Sequence, residues 1–169
     1  MQTDFLTKTP QDSQSEQTHI IMTMNLNGDD ALFGGQLMAW IDEVAGITSR
    51  RHCGCVTRTA AVEHLNFLAP AYINDILTLK GRVVYVGSTS MEVCVDSYVE
   101  RMPDSGTKIH VNRALLTMVA IGADGRPATV PRLHISGEEE KQMWADAEQR
   151  ALRRKAEKNR QKTMGGNEE

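Results

Sequence analysis

Gly34-Gly35-Gln36-Leu37-Met38-Ala39-Trp40-Ile41-Asp42-Glu43-Val44-Ala45-Gly46-Ile47-Thr48-Ser49-Arg50-Arg51 is the stretch on which the reading of this chain turns. Leu37, Trp40, Ile41, Val44, Ala45 and Thr48 fall at i, i+3, i+4, i+7, i+8 and i+11, the spacing that gathers side chains on one face of a helix. Cations at Arg50, Arg51 and His52 suit the negative end of a helix dipole, and Gly54 follows as a stop. The segment predicts one amphipathic helix over 34–51, with an apolar face that needs a cover.

Downstream the period changes to that of strands. Ala60 to Phe67 is the first, closed by Pro70, and Ile76 to Val86 is a second, with Gly81 expected as a bulge or bend. Gly87-Ser88 turns the chain into a third, where Met91, Val93, Val95 and Val99 alternate with Glu92, Cys94, Asp96 and Glu100, the pattern of a half-buried strand. Pro103-Asp104-Ser105-Gly106 reads as a turn, Lys108 to Ile121 as a fourth strand, and Asp124-Gly125-Arg126-Pro127 as the turn out of it. Long strands joined by short turns make an antiparallel sheet with one buried face, and residues 34–51 are the apolar helix available to cover it. The expected class is α+β, an antiparallel sheet wrapped around one central α-helix.

Upstream, His19 to Met24 reads as a short strand and Asn25 to Asp30 as a turn, while the polar residues 1–18 are expected to be a flexible leader. Residues 19–135 then form the expected domain, and 136–169 a charged C-terminal helix and tail. Met143, Ala147 and Leu152 give that helix only a thin apolar stripe, and its second half concentrates Arg and Lys. It is read as a solvated terminal helix rather than a basic arm for nucleic acid or membrane, because Trp144 is its one aromatic residue.

The chain of 169 residues has a formal net charge of −3, which gives no global attraction to nucleic acid or anionic membranes. No run approaches the roughly 18 apolar residues of a membrane span. The N-terminus lacks a signal core and is too acidic for a transit peptide, so the expected location is cytoplasmic. Cys53, Cys55 and Cys94 are an odd number for a disulfide framework, and Cys53-Gly54-Cys55 lacks the spacing of a zinc knuckle. They are read as reduced thiols, and no metal is assigned.

Ordered matches through the chain add to this reading. Asn27, Phe33-Gly34-Gly35, Asp42 and Ala45-Gly46 come first, then Thr57 with His64-Leu65-Asn66-Phe67-Leu68-Ala69-Pro70. Gly87-Ser88-Thr89-Ser90-Met91-Glu92-Val93, Thr117-Met118-Val119-Ala120 and Val130-Pro131 follow. Across roughly residues 20–131 this series resembles the acyl-CoA hydrolase branch of the hotdog-fold thioesterases. The resemblance implies a hotdog domain that hydrolyses acyl-CoA thioesters to free CoA and a carboxylic acid, with Asp42 as general base or nucleophile. It further implies that Asp42 works with Asn27 of another subunit, in a homo-oligomer that is at least a dimer and commonly a trimer of dimers. It places CoA phosphates at Ser88-Thr89-Ser90 and requires no cofactor, since coenzyme A belongs to substrate and product. The chain departs from the family's pattern at Asp30, where a Gly is usual.

The residues themselves are compatible with those roles. Asp42 borders the apolar stripe beside Met38 and Ala45, whereas Glu43 lies nearly opposite it; a carboxylate can activate water or attack a thioester carbonyl directly. N–H groups at Gly35, in the first turn of the helix, can point at a thioester oxygen. Asn27 either orients water or carbonyl, or serves the Asn-Gly turn it begins. Ser88, Thr89 and Ser90 either hold phosphate or simply turn a hairpin. His64, His110 and Cys94 are read as structural. Two other readings compete: a non-catalytic acyl-CoA sensor, which has no need of Asp42, and a hydratase, which needs a His that the helix lacks before Arg51.

Overall fold

The computed structural model describes residues 6–103 and 106–165. The turn residues Asp104 and Ser105, the first five residues of the expected leader and residues 166–169 lie outside them. In chain order the elements are β1 (Thr7–Lys8), α1 (Pro10–Ser13), β2 (Ser15–Ile20), a 3-10 turn (Thr23–Asn25), α2 (Gly34–Cys53), β3 (Val56–Phe67), β4 (Ile76–Val86), β5 (Ser90–Glu100), β6 (Lys108–Ile121), β7 (Arg132–Leu133) and α3 (Glu138–Gly165). Residues up to 134 form one compact unit and those from 135 a second.

In the first unit, five strands pair in the order β2-β4-β5-β6-β3, every neighbouring pair antiparallel. The helix predicted over 34–51 runs to Cys53 and buries the expected face: Leu37, Trp40, Ile41, Val44, Ala45 and Thr48. Against it stand Leu77, Leu79 and Val83 of β4, Val93, Val95 and Val99 of β5, and Ala114, Leu116 and Met118 of β6, all buried. Fully burying an aliphatic side chain of this size is worth about 1.5–3 kcal/mol, so this shared core holds helix and sheet together.

Gly81, expected as a bulge or bend, has a different task. A Cβ there would collide with Thr48 Oγ1 and lie 2.7 Å from Val44 Cγ1, so the missing side chain is what lets α2 approach β4 closely. The irregularity of β4 falls instead between Val83 and Tyr85. A second difference concerns β5, expected to be half-buried. Glu92, Cys94 and Asp96, on the face away from α2, are buried as well. Asp96 is accommodated there by hydrogen bonds from Arg113 Nε at 2.7 Å and from His110 Nε2 at 3.0 Å.

The described part of the expected leader is ordered. Ser15 to Ile20 pairs with β4 from Gly81 to Ile76, extending the sheet by a strand of mostly polar residues. Lys8 Nζ donates to the Arg51 carbonyl and Arg51 Nη1 to the Gln14 carbonyl, both at 2.7 Å, fastening this segment to the end of α2. Its stability comes from backbone pairing and these bonds, which low apolar content conceals. The strand expected over 19–24 accordingly ends at Ile20, and Thr23 to Asn25 makes a 3-10 turn.

In the second unit α3 is a long charged helix with Glu138, Glu139 and Glu140 in its first turn, where acids suit the positive end of the dipole. Glu140 accepts from the Ser136 N–H at 2.9 Å, satisfying a donor just ahead of the helix. Among the described residues no helix is long and apolar enough to cross a membrane.

Candidate active site

Asp42 projects from the middle of α2 and is exposed. Thr59, on β3, donates its hydroxyl proton to Asp42 Oδ1 at 2.6 Å, and Met118 Sδ of β6 lies 3.6 Å from the same hydroxyl. About two turns further along α2, Ser49 Oγ meets Thr57 Oγ1 at 2.8 Å. Two hydroxyl contacts therefore fasten helix to strand, one at the carboxylate itself and one beyond it along the helix, and the first limits the rotamer freedom of Asp42 while engaging only Oδ1.

Two open grooves meet at Asp42. One, of about 350 Å³, is apolar and is bounded by Gly35, Met38, Ala39, Ile41, Val62, Leu65 and Leu116. The other, of about 390 Å³, is mixed, with Gln17, Glu43, Arg50, Thr57 and Thr59 among its walls. A carboxylate between an apolar slot and a polar one suits a substrate whose reacting carbon joins a greasy chain to a polar carrier.

Gly35 lies on the apolar groove. The first intrahelical bonds run from Gln36 and Leu37 to the Phe33 carbonyl at 2.9 and 3.1 Å, so the N–H of Gly35 has no place in the helical ladder. The Phe33 ring lies alongside, with Cζ 2.7 Å from where a Gly35 Cβ would stand.

Asn27 borders neither groove. Its Oδ1 accepts the N–H groups of Asp29 at 2.9 Å and Ala31 at 3.1 Å, shaping the loop and engaging Oδ1 alone. In that loop Asp30 adopts left-handed backbone with φ 57°, a conformation glycine takes without strain. Asp30 thus holds, at some conformational cost, a backbone conformation that the usual glycine takes freely. The Ser88-Thr89-Ser90 turn also stands apart from both grooves within the chain. Its Ser88 and Thr89 carbonyls accept from Val130 at 3.1 Å and Ala120 at 2.9 Å, and its hydroxyls and N–H groups are the donors that could meet a phosphate.

His110 stacks on Tyr98 with 4.9 Å between ring centres and bonds Asp96, and His64 Nδ1 donates to the Glu63 carbonyl at 2.9 Å. Each therefore has a hydrogen-bond partner within its own chain. Cys94 is wholly buried, and burial, with Asp96 nearby, pushes its thiol up to about 12. Thr59 and Arg50 were not singled out from the sequence. Strand alternation puts Thr59 on the same face as Thr57, but only the register against α2 brings it to Asp42. No cluster of three or more metal-ligating side chains occurs among the described residues.

Residues 30–103 match the thioesterase superfamily. The chain is 36% identical over 144 residues to an uncharacterized acyl-CoA thioester hydrolase of Bacillus subtilis, covering 85% of this chain and 83% of that protein. Its fold superposes on the crystal structure of an apo-hexameric acyl-CoA thioesterase with a TM-score of 0.85 at 31% identity, over 90% of this chain and 97% of that one. It likewise matches the acyl-CoA hydrolase of Staphylococcus aureus in complex with butyryl coenzyme A, coenzyme A and coenzyme A disulfide. There the TM-score is 0.84 and the identity 32%, over 94% of this chain and 96% of the other. That enzyme has also been solved as variants with an Asp, an Asn or a Thr replaced by Ala. A central helix wrapped by an antiparallel sheet defines the hotdog class, and within it this chain belongs to the acyl-CoA thioester hydrolases of the thioesterase superfamily.

Proposed function

We propose that this hydrolase acts on acyl-CoA with Asp42 as its catalytic carboxylate, and the observation that carries the reading is the Thr59–Asp42 bond at the meeting of the two grooves. The acyl chain enters the apolar groove, and the polar side of the thioester lies toward Thr57 and Arg50. Asp42 either takes a proton from water as the water attacks the carbonyl carbon, or attacks that carbon itself. The C–S bond then breaks, and the CoA sulfur leaves as thiolate and is protonated; in the second route water then hydrolyses the mixed anhydride, releasing the carboxylic acid and restoring Asp42. The Gly35 N–H stabilises the oxygen on which charge develops. The chemistry needs water and these groups alone, so no resident cofactor is assigned; coenzyme A is part of the substrate. Ser88, Thr89 and Ser90 contact its phosphates.

Asn27 completes the site from a second copy of the chain. Supporting this, it lies away from Asp42 in its own chain, while apolar side chains stand exposed beside α2 and the free edge of β3: Phe33 at 55%, Val62 at 55%, Phe67 at 56% and Leu68 at 56%. A contiguous apolar surface beside an open strand edge calls for a partner. The hexameric relative supports a trimer of such dimers here. The Asp, Asn and Thr varied in the Staphylococcus enzyme are the residue types of Asp42, Asn27 and Thr59. Three free cysteines support a reducing, cytoplasmic location.

The test is thiol release from short-, medium- and long-chain acyl-CoAs. Asp42→Asn is expected to lower kcat by about 10²–10⁴-fold, the usual contribution of a general base, without loss of fold. Turnover near that of the wild type would remove Asp42 from the mechanism.

A further inference from the structure

The joint between α2 and β3 carries two thiols that thioester hydrolysis does not use. Cys53 ends α2, and Gly54 closes it in left-handed backbone, φ 70°, donating its N–H to the Arg50 carbonyl at 2.8 Å. Cys55 stands one residue ahead of β3. The left-handed glycine turns the chain so that the two sulfurs lie 3.1 Å apart, and both residues are partly exposed. Cys94 provides an internal contrast, being wholly buried.

We propose that Cys53-Gly54-Cys55 is a dithiol redox site that closes to an intramolecular disulfide by exchange with a low-molecular-weight disulfide. From 3.1 Å, the sulfurs must approach by about 1 Å to reach bonding distance. Gly54, with no Cβ, can absorb that change in its two backbone angles. The Cys55 thiolate attacks one sulfur of the small disulfide, forming a mixed disulfide and expelling one small thiolate. Cys53 then loses its proton and attacks the Cys55 sulfur, expelling the second. Two cysteine thiols are oxidised, one small disulfide is reduced to two thiols, and the two cysteine protons pass to the leaving groups. Burial pushes the Cys53 thiol up to about 11, so the first attack falls to Cys55 and Cys53 reacts as its neighbour in space. The site shares no residue with the Asp42 reading, and its oxidation state is measured without reference to turnover.

The experiment is intact-mass spectrometry and thiol titration of the folded protein after incubation with oxidised glutathione. The wild type is expected to lose two hydrogens in mass and two titratable thiols, with no lasting adduct and full reversal by dithiothreitol. Cys53→Ser is expected to retain one glutathione on Cys55, since its resolving thiol is gone. A wild-type mass that stays unchanged, or a wild-type chain that keeps the adduct, overturns the proposal.

Discussion

At the scale of single residues, the site depends on one carboxylate held by one hydroxyl. Thr59→Val keeps the shape of the side chain but removes the proton donated to Asp42 Oδ1 at 2.6 Å. A hydrogen bond to a charged group contributes about 1.5–3 kcal/mol. If that stabilisation is felt in the transition state, kcat should fall by roughly tenfold or more, with KM little changed. Steady-state kinetics of Thr59→Val check this, and a rise in KM alone would make Thr59 a binding residue. Asp30 offers a test of the loop. Its φ of 57° costs an L-residue on the order of 1 kcal/mol, partly offset in a glycine variant by greater freedom of the unfolded chain. Asp30→Gly should therefore raise the melting temperature slightly and leave turnover intact, as read by calorimetry and the thiol-release assay.

At the scale of elements, the packing of α2 on the strands sets stability, and the proposed acyl groove between α2 and β3 can be tested for its effect on substrate length. Gly81→Val would drive two methyl groups into the place where Thr48 and Val44 meet β4. Overpacking of this kind costs about 1–3 kcal/mol or more, and a fall in the urea midpoint measures it. The apolar groove between α2 and β3 is bounded by Met38, Val62, Leu65 and Leu116. Leu65→Trp should shorten it, lowering kcat/KM for long acyl-CoAs far more than for short ones. An unaltered chain-length profile would mean that the acyl chain lies elsewhere. Much of this level was legible in advance. The 3.6 period of Leu37 to Thr48 and the alternation from Met91 to Val99 announced helix and sheet, because burial of one face imposes those periods. The strand Ser15 to Ile20 is not legible in the sequence because it is held by backbone pairing with β4 and shows no apolar stripe.

At the scale of the whole molecule, association and pH govern behaviour. Leu68→Glu places a charge on the exposed apolar surface outside both grooves. Under the proposed shared site, sedimentation should show a smaller species with little activity, because Asn27 of a second copy would be absent; a fully active monomer would end the shared-site reading. For pH, His52 is wholly buried and donates from Nε2 to the Pro131 carbonyl at 3.1 Å. Burial lowers its pKa despite that bond, and burial likewise lowers that of His19, stacked on Trp40 at 4.2 Å. An unfolded histidine titrates near about 6.5. As pH falls through that value the unfolded chain takes up protons first, so stability is full above it and is lost as pH falls toward the lower folded values. Thermal melts from pH 8 to 5 should show this decline, and His52→Gln should flatten it.

The sequence by itself determined the central helix and the face it buries, the four long strands and the candidate Asp42, because local periodicity and an ordered run of motif residues are properties of the chain alone. Only the tertiary structure decided that Thr59, an unremarkable hydroxyl in a strand, holds Asp42, that Gly81 is a contact between helix and sheet, and that Asn27 stands apart from the carboxylate in its own chain. Each of these is a meeting of residues distant in sequence. Such meetings are set by strand register and by the depth at which α2 sits on the sheet, which packing of the whole core selects and no local pattern records.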